Sequence, residues 1–245
     1  MTTTEIVIVA LMTALAALVK STTGMGFPLV LLPVLALFMD VADAVVIVVP
    51  VNLSLNCWLV LTTRHERHNV PTLARFTFPS LAGTVLGALL LPILPETLMR
   101  GFLIGIIVLF LATHLAGRSP ELSEARAAQL SPVVGGLAGV FQGAANVAGP
   151  IVTPWFLSQG LRRDALVYAL AAFFSLTGII QIAVFVIRGG LSMRLFGFGI
   201  ALIPVAFLAV PVGVRIRKRI SVEGFQQLVL VLLAGSAISL LVRIL

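Results

Sequence analysis

Long apolar runs follow one another along the chain, separated by short clusters of basic residues, glycine and proline. A membrane span takes roughly 20 apolar residues. On that measure six regular spans are expected, at about Ala44–Leu61, Phe76–Leu91, Gly101–Leu115, Ala165–Ile187, Leu195–Val212 and Phe225–Leu241. Two further apolar stretches, Ile6–Phe38 and Pro132–Leu157, are interrupted by small and polar residues, the first at Ser21–Gly26 and the second at Gln142–Gly149. They are too long for one straight span and too broken to be regular. Each is expected to be a broken helix or a re-entrant helical hairpin.

The two halves of the chain resemble each other at an offset of about 121 residues: Pro33 matches Pro154, Asp43-Ala44 matches Asp164-Ala165, and Ser54 matches Ser175. Further on, Gly101-Phe102 corresponds to Gly224-Phe225. Charge then sets the relative orientation of the halves, because Lys/Arg bias determines which loops stay inside. If each broken stretch crosses once, the repeats are parallel and the cations divide almost evenly, with Arg215–Arg219 on the wrong side. If each enters and leaves on one side, the repeats are inverted. The inside then holds Arg64, Arg67, Arg75, Arg118, Arg126, Arg162, Arg163, Arg215, Arg217, Lys218 and Arg219, while only Arg100, Arg188, Arg194 and Arg243 fall outside. The inverted arrangement is favoured. The expected fold is therefore all-α: a polytopic membrane protein forming a single membrane domain over 1–245. Its two inverted repeats, 1–117 and 132–245, each hold a broken or re-entrant helical element plus three transmembrane helices. In transporters of this plan, sites lie near the midplane where discontinuous helices of the repeats meet.

Composition narrows the class further. Hydrophobic residues make up 60% of the chain and charged ones 10%, against about 25% charged in soluble domains. The mean hydropathy is +1.16. The net charge of +7 comes mainly from residues between spans, so it reads as membrane orientation and not as nucleic-acid binding. Met1 to Glu5 carries no positive segment, and no cleavable signal peptide is expected. The one cysteine, Cys57, excludes an internal disulfide and any cysteine-based metal cluster.

Lys20 is the one charged residue well inside an apolar segment, and it stands beside the first break. An ionisable group at membrane depth marks a substrate or ion pathway by default. Broken backbone is tolerated there only where it is buried in protein or lines a cavity. Ser21, Thr22 and Thr23 add hydroxyl donors, and Gly24 and Gly26 lead to Pro28, which suits an early helical turn. A helix resuming there would offer unpaired N–H groups and partial positive charge to an anion. The competing reading is that Lys20 snorkels to an interface and the hydroxyls cap the broken helix. At the second break, Gln142, Asn146 and Gly149 offer neutral donors and a helix restart; interhelical hydrogen bonding is the alternative. Asn52 and Asn56, four apart on one helix face, and Ser175 complete the candidate set, with Gln181 and Tyr168 weaker. Asp43 and Asp164 read as helix caps, Gly83 and Gly87 as a close packing motif, and Trp58 and Trp155 as interface anchors.

The segments Ser21-Thr22-Thr23-Gly24-Met25-Gly26-Phe27-Pro28 with Pro33, and Gly139-Val140-Phe141-Gln142-Gly143 through Asn146 and Gly149-Pro150 with Pro154, carry a resemblance. Such breaks, once per half and followed by proline, resemble the sulfite exporter TauE/SafE family of transmembrane permeases. The resemblance covers the whole chain, although the family's glycine-rich run is thinned here, with Ala144, Ala145 and Asn146 in the second copy. It implies a multi-pass protein of the cell inner or plasma membrane that transports sulfite, sulfonates or related small organic anions, commonly outward. The expected partners are a small anionic substrate and the lipid bilayer, with a homodimer left open and no nucleic acid. No cofactor or metal is expected. An enzyme would need a nucleophile paired with a base, or metal ligands, at membrane depth, and no histidine pairs with a buried acid. The alternative is an anion channel or a membrane subunit of a larger transport complex. With no buried Asp or Glu, proton coupling would need Lys20, His114 or the substrate itself.

Overall fold

The computed structural model describes residues 2–115, 122–161 and 163–219. The expected span Phe225–Leu241, the Gly224-Phe225 match, Arg118, Arg162 and Arg243 lie outside the described residues. Within them the chain is helical throughout, with no strand. The helices are α1 (Thr3–Thr23), α2 (Phe27–Leu35), α3 (Val41–Thr63), α4 (Leu73–Leu90), α5 (Glu96–Leu115), α6 (Glu124–Ala145), α7 (Gly149–Leu157), α8 (Arg163–Ile187) and α9 (Met193–Arg219). A 3₁₀ turn, Arg64–Asn69, follows α3. Five of the described helices are long and apolar enough to cross a membrane: α1, α3, α4, α8 and α9.

Both interruptions fall where the glycine and proline pattern puts them, and both build the same shape. A helix of 21 or 22 residues, α1 or α6, ends in a three-residue break and is followed by a nine-residue helix, α2 or α7. At about 1.5 Å per residue the first helix measures about 32 Å and the second about 14 Å. One matches a membrane's hydrocarbon core and the other covers half of it. The bounds differ from expectation in two ways. Helix α1 runs on through Ser21–Thr23, so the first break is only Gly24–Gly26. Helix α6 begins at Glu124, well before Pro132, because Ser123 caps it by accepting from the Arg126 N–H. Pro132 then lies inside α6, at the cost of one backbone hydrogen bond.

The helices gather into two compact units that do not follow the sequence halves. The first unit holds α1, α2, α3 as far as Leu55, most of α5, and α9. Here α1 packs on α2 and on α9. At Gly213 of α9 an added Cβ would collide with the Ser21 hydroxyl and stand 2.9 Å from the Leu18 carbonyl. The start of α3 is capped across space: the Val41 N–H donates to both carboxylate oxygens of Glu96, at 3.2 and 3.1 Å, and Glu96 also pairs with Arg100 at 2.8 Å. Asp43, the expected cap, is exposed in the first turn. It favours the helix dipole, while the N–H bond goes to α5.

The second unit holds α3 from Asn56, α4, α6, α7 and α8. Its centre is the α4–α6 pair. Gly83 and Gly87 of α4 face the Gly136 and Val140 carbonyls, and Gly135, Gly139 and Gly143 of α6 face the Phe76, Ser80 and Thr84 carbonyls. A Cβ at any of these five glycines would strike backbone. The four-residue spacing of small residues therefore brings two backbones into contact, as such spacing does in membrane helices. Phe76 of α4 anchors an aromatic cluster with Trp155, Phe156 and Phe173, at ring-centroid distances of 5.8, 5.1 and 5.5 Å. Trp155 is thus a core residue, 7% exposed, and not the interface anchor expected from its place near a span end. Three other rings give its large apolar surface a better home than a lipid boundary.

Candidate functional site

At the start of α1, Thr2 and Glu5 cap reciprocally: the Thr2 hydroxyl accepts from the Glu5 N–H at 3.3 Å, and the Glu5 carboxylate accepts from the Thr2 N–H at 2.9 Å. The helix runs to Thr23 and stops because Gly24 adopts a left-handed conformation, φ +84°, its N–H donating to the Lys20 carbonyl at 2.7 Å. Gly26, at φ +95°, turns the chain again and leads into α2, whose second residue is Pro28. No side chain caps α2. All nine residues of α2 are buried, as broken backbone in a membrane protein requires.

Lys20 lies in the last turn of α1 and is 1% exposed. The side chain is therefore packed inside the protein and does not reach its surface. Its charge opposes the negative end of the α1 dipole, worth up to about 2 kcal/mol, whereas burying an ion costs several kcal/mol. The dipole alone does not account for a buried lysine. The hydroxyls behave differently from the expectation that they face a ligand. Ser21 donates to the Ala17 carbonyl at 2.8 Å, Thr22 to Leu18 at 2.7 Å, and Thr23 lies between the Val19 and Met25 carbonyls at 3.0 and 2.9 Å. Because these residues are still helical, their protons go to the backbone one turn back. Thr22 also stands 3.3 Å from the Gly213 carbonyl, at the α1–α9 contact.

The second break repeats this geometry 122 residues later. Asn146 takes the place of Gly24 (24 + 122): it is left-handed, φ +58°, and its N–H donates to the Gln142 carbonyl at 2.7 Å. Asparagine tolerates that conformation better than other residues with a Cβ. Gln142 thus occupies the position of Lys20 (20 + 122), and Gly149-Pro150 opens α7 as Phe27-Pro28 opens α2. The Gln142 Nε2 group donates to Asn146 Oδ1 at 3.2 Å, and Asn146 Nδ2 donates to Gln181 Oε1 of α8 at 2.8 Å. Gln181 Nε2 in turn donates to the Gly143 carbonyl at 2.8 Å, one of those that the end of α6 leaves without a helical partner. All three amides are at most 1% exposed.

The structure therefore brings Gln142 and Asn146 together, and Gln181, the weaker candidate, joins them. It is the one amide in α8, which was the signal available for it. Asn56 is fully buried, and among the described residues neither of its side-chain amide atoms is hydrogen-bonded and the buried Ser175 hydroxyl has no partner. Neither is joined to the Gln142–Asn146–Gln181 chain. Asn52 lies one turn before Asn56 on α3 and is also buried. Among the described residues the buried Thr77 hydroxyl and Trp155 Nε1 are two further groups with no hydrogen-bond partner; no local pattern points to either. A cavity of about 280 Å³ in the second unit, between Asn69, Thr72, Leu122 and Gln159, touches none of the expected site residues. No group of three or more His, Cys, Asp or Glu able to hold a metal occurs among the described residues.

No curated protein and no solved structure shows significant similarity to the chain. Its membrane-length helices, paired breaks and buried polar residues fit a transporter, and a family profile covers nearly all of it. Through the match of residues 9–240, the chain belongs to the sulfite exporter TauE/SafE family of membrane transporters.

Proposed function

We propose that the protein is a secondary transporter that exports a small anion, such as sulfite, a sulfonate or a related organic anion, across the cell inner or plasma membrane by alternating access. The observation that carries this reading is Lys20, a lysine 1% exposed at the end of a broken membrane-length helix. Its charge supplies attraction, and the uncapped start of α2 supplies oriented N–H groups. Ser21, Thr22 and Thr23 hold the helix end in shape. At the second break Gln142 and Asn146 supply neutral polar contacts, Gly149 opens α7, and Asn52, Asn56 and Ser175 add buried polar groups without a second buried charge. The two breaks belong to inverted repeats, in keeping with the cation distribution between spans.

The test is sulfite flux in proteoliposomes that contain this purified chain and no other protein. The reading expects flux that saturates with sulfite concentration and is competed by related anions. Flux absent from the chain alone, or rising linearly without saturation, would point instead to an accessory subunit or a channel.

A further inference from the structure

The amide chain at the second break has a fixed direction. A backbone carbonyl can only accept, so the group that Gln181 turns toward the Gly143 carbonyl must be its NH₂. That leaves Gln181 Oε1 to accept, so Asn146 must turn its NH₂ toward α8 and its Oδ1 toward Gln142. Gln142 must then present its own NH₂ to Asn146. Each orientation follows from the one before, and no member can flip without setting donor against donor or acceptor against acceptor. What remains at the far end is Gln142 Oε1, a buried acceptor with no hydrogen-bond partner among the described residues, on a residue 0% exposed.

A buried polar atom left in this state is destabilising unless something donates to it. The helix end and α8 hold Gln142 so that only a donor is welcome. We propose that Gln142 Oε1 receives an O–H or N–H of the transported anion, so that the preferred substrate is a small anion that still carries a proton, such as hydrogensulfite, and not a fully deprotonated one. This rests on the transport reading above and narrows it. It also bears on coupling: a substrate recognised through its proton carries that proton with it, and no buried carboxylate is needed as carrier.

The test uses two anions of the same charge, size and tetrahedral shape that differ by one proton-bearing oxygen. These are methanesulfonate, with no donor, and the singly protonated methylphosphonate, with one O–H. Binding of each to the purified full-length protein is measured by calorimetry, with hydrogensulfite as the reference ligand, at a pH where methylphosphonate keeps one proton. The wild-type protein is expected to bind hydrogen methylphosphonate about ten- to a hundredfold more tightly than methanesulfonate. In Gln142→Leu that ratio should fall toward one. In Gln181→Met it should fall as well, because Gln142 is then free to turn its amide. Equal or tighter binding of methanesulfonate by the wild-type protein, the result expected if water occupies the acceptor, overturns the inference and leaves the transport reading standing. A ratio that persists in Gln142→Leu overturns it too. Failure of all three anions to bind removes the inference together with the transport reading.

Discussion

Asn146 allows the backbone and side-chain parts of the second break to be measured separately. Its φ of +58° makes it the one left-handed residue other than glycine among those described. Its side chain accepts from Gln142 at 3.2 Å and donates to Gln181 at 2.8 Å. Replacing it with glycine keeps the turn, since glycine adopts this conformation freely, but strips both bonds. Interhelical hydrogen bonds in membranes average about 0.6 kcal/mol and reach about 1.7, so Asn146→Gly should lose about 1–3 kcal/mol. Asn146→Ala loses the same bonds and adds the steric cost of a left-handed residue with a Cβ, about 1–2 kcal/mol. The assay is reversible unfolding in mixed micelles titrated with dodecyl sulfate, with helicity followed by circular dichroism. Alanine should be less stable than glycine by about 1–2 kcal/mol. Equal stability of the two variants would refute the left-handed turn, and a glycine variant as stable as wild type would refute the amide chain.

The α4–α6 contact predicts that Gly139→Ala, whose new methyl would strike the Ser80 carbonyl, destabilises by about 1–3 kcal/mol or more. Gly136→Ala, where nothing lies within 4 Å, should be nearly neutral; thermal unfolding in detergent compares the two. The inverted arrangement predicts that single cysteines at Arg67 and Arg215 are both shielded from an impermeant thiol reagent added to intact cells. The exposed native Cys57 is first replaced by alanine. Labelling of either position from outside would contradict inversion.

The positions of the two breaks were legible because glycine and proline act on the backbone locally. Gly24, Gly26 and Asn146 turn left-handed, and Pro28 and Pro150 sit where a missing N–H costs least. The Gly83/Gly87 spacing was legible for the same reason: a helix places residues four apart on one face. What depends on distant segments was not. Nothing near Val41 indicates that Glu96 of α5 will cap α3. Nothing near Trp155 shows that Phe76, Phe156 and Phe173 will enclose it. The hydroxyls of Ser21–Thr23 looked like ligand donors because the helix was expected to stop before them. Once it continues to Thr23, the carbonyls one turn back take their protons. Gln181 was undervalued because its worth lies in the Gly143 carbonyl 38 residues earlier, which no local pattern records. The compact units also mix the two sequence halves, since α4 packs on α6 and α9 on α1.

If an anion passes by way of the broken helices, its flux depends on Lys20 and Gln142. The most direct measurement is the initial rate of sulfite efflux from loaded proteoliposomes, compared between the wild-type chain, Lys20→Met and the Lys20→Met/Gln142→Leu double variant. Gly197→Ala, a glycine of α9 with nothing within 4 Å, serves as control. Loss of a charge-assisted contact is worth about 1.5–3 kcal/mol, or about ten- to a hundredfold. The wild-type rate should saturate, Gly197→Ala should preserve it, Lys20→Met should lower it by that factor, and the double variant should lower it further. Wild-type efflux from well-folded double-variant protein would contradict passage by way of the broken helices.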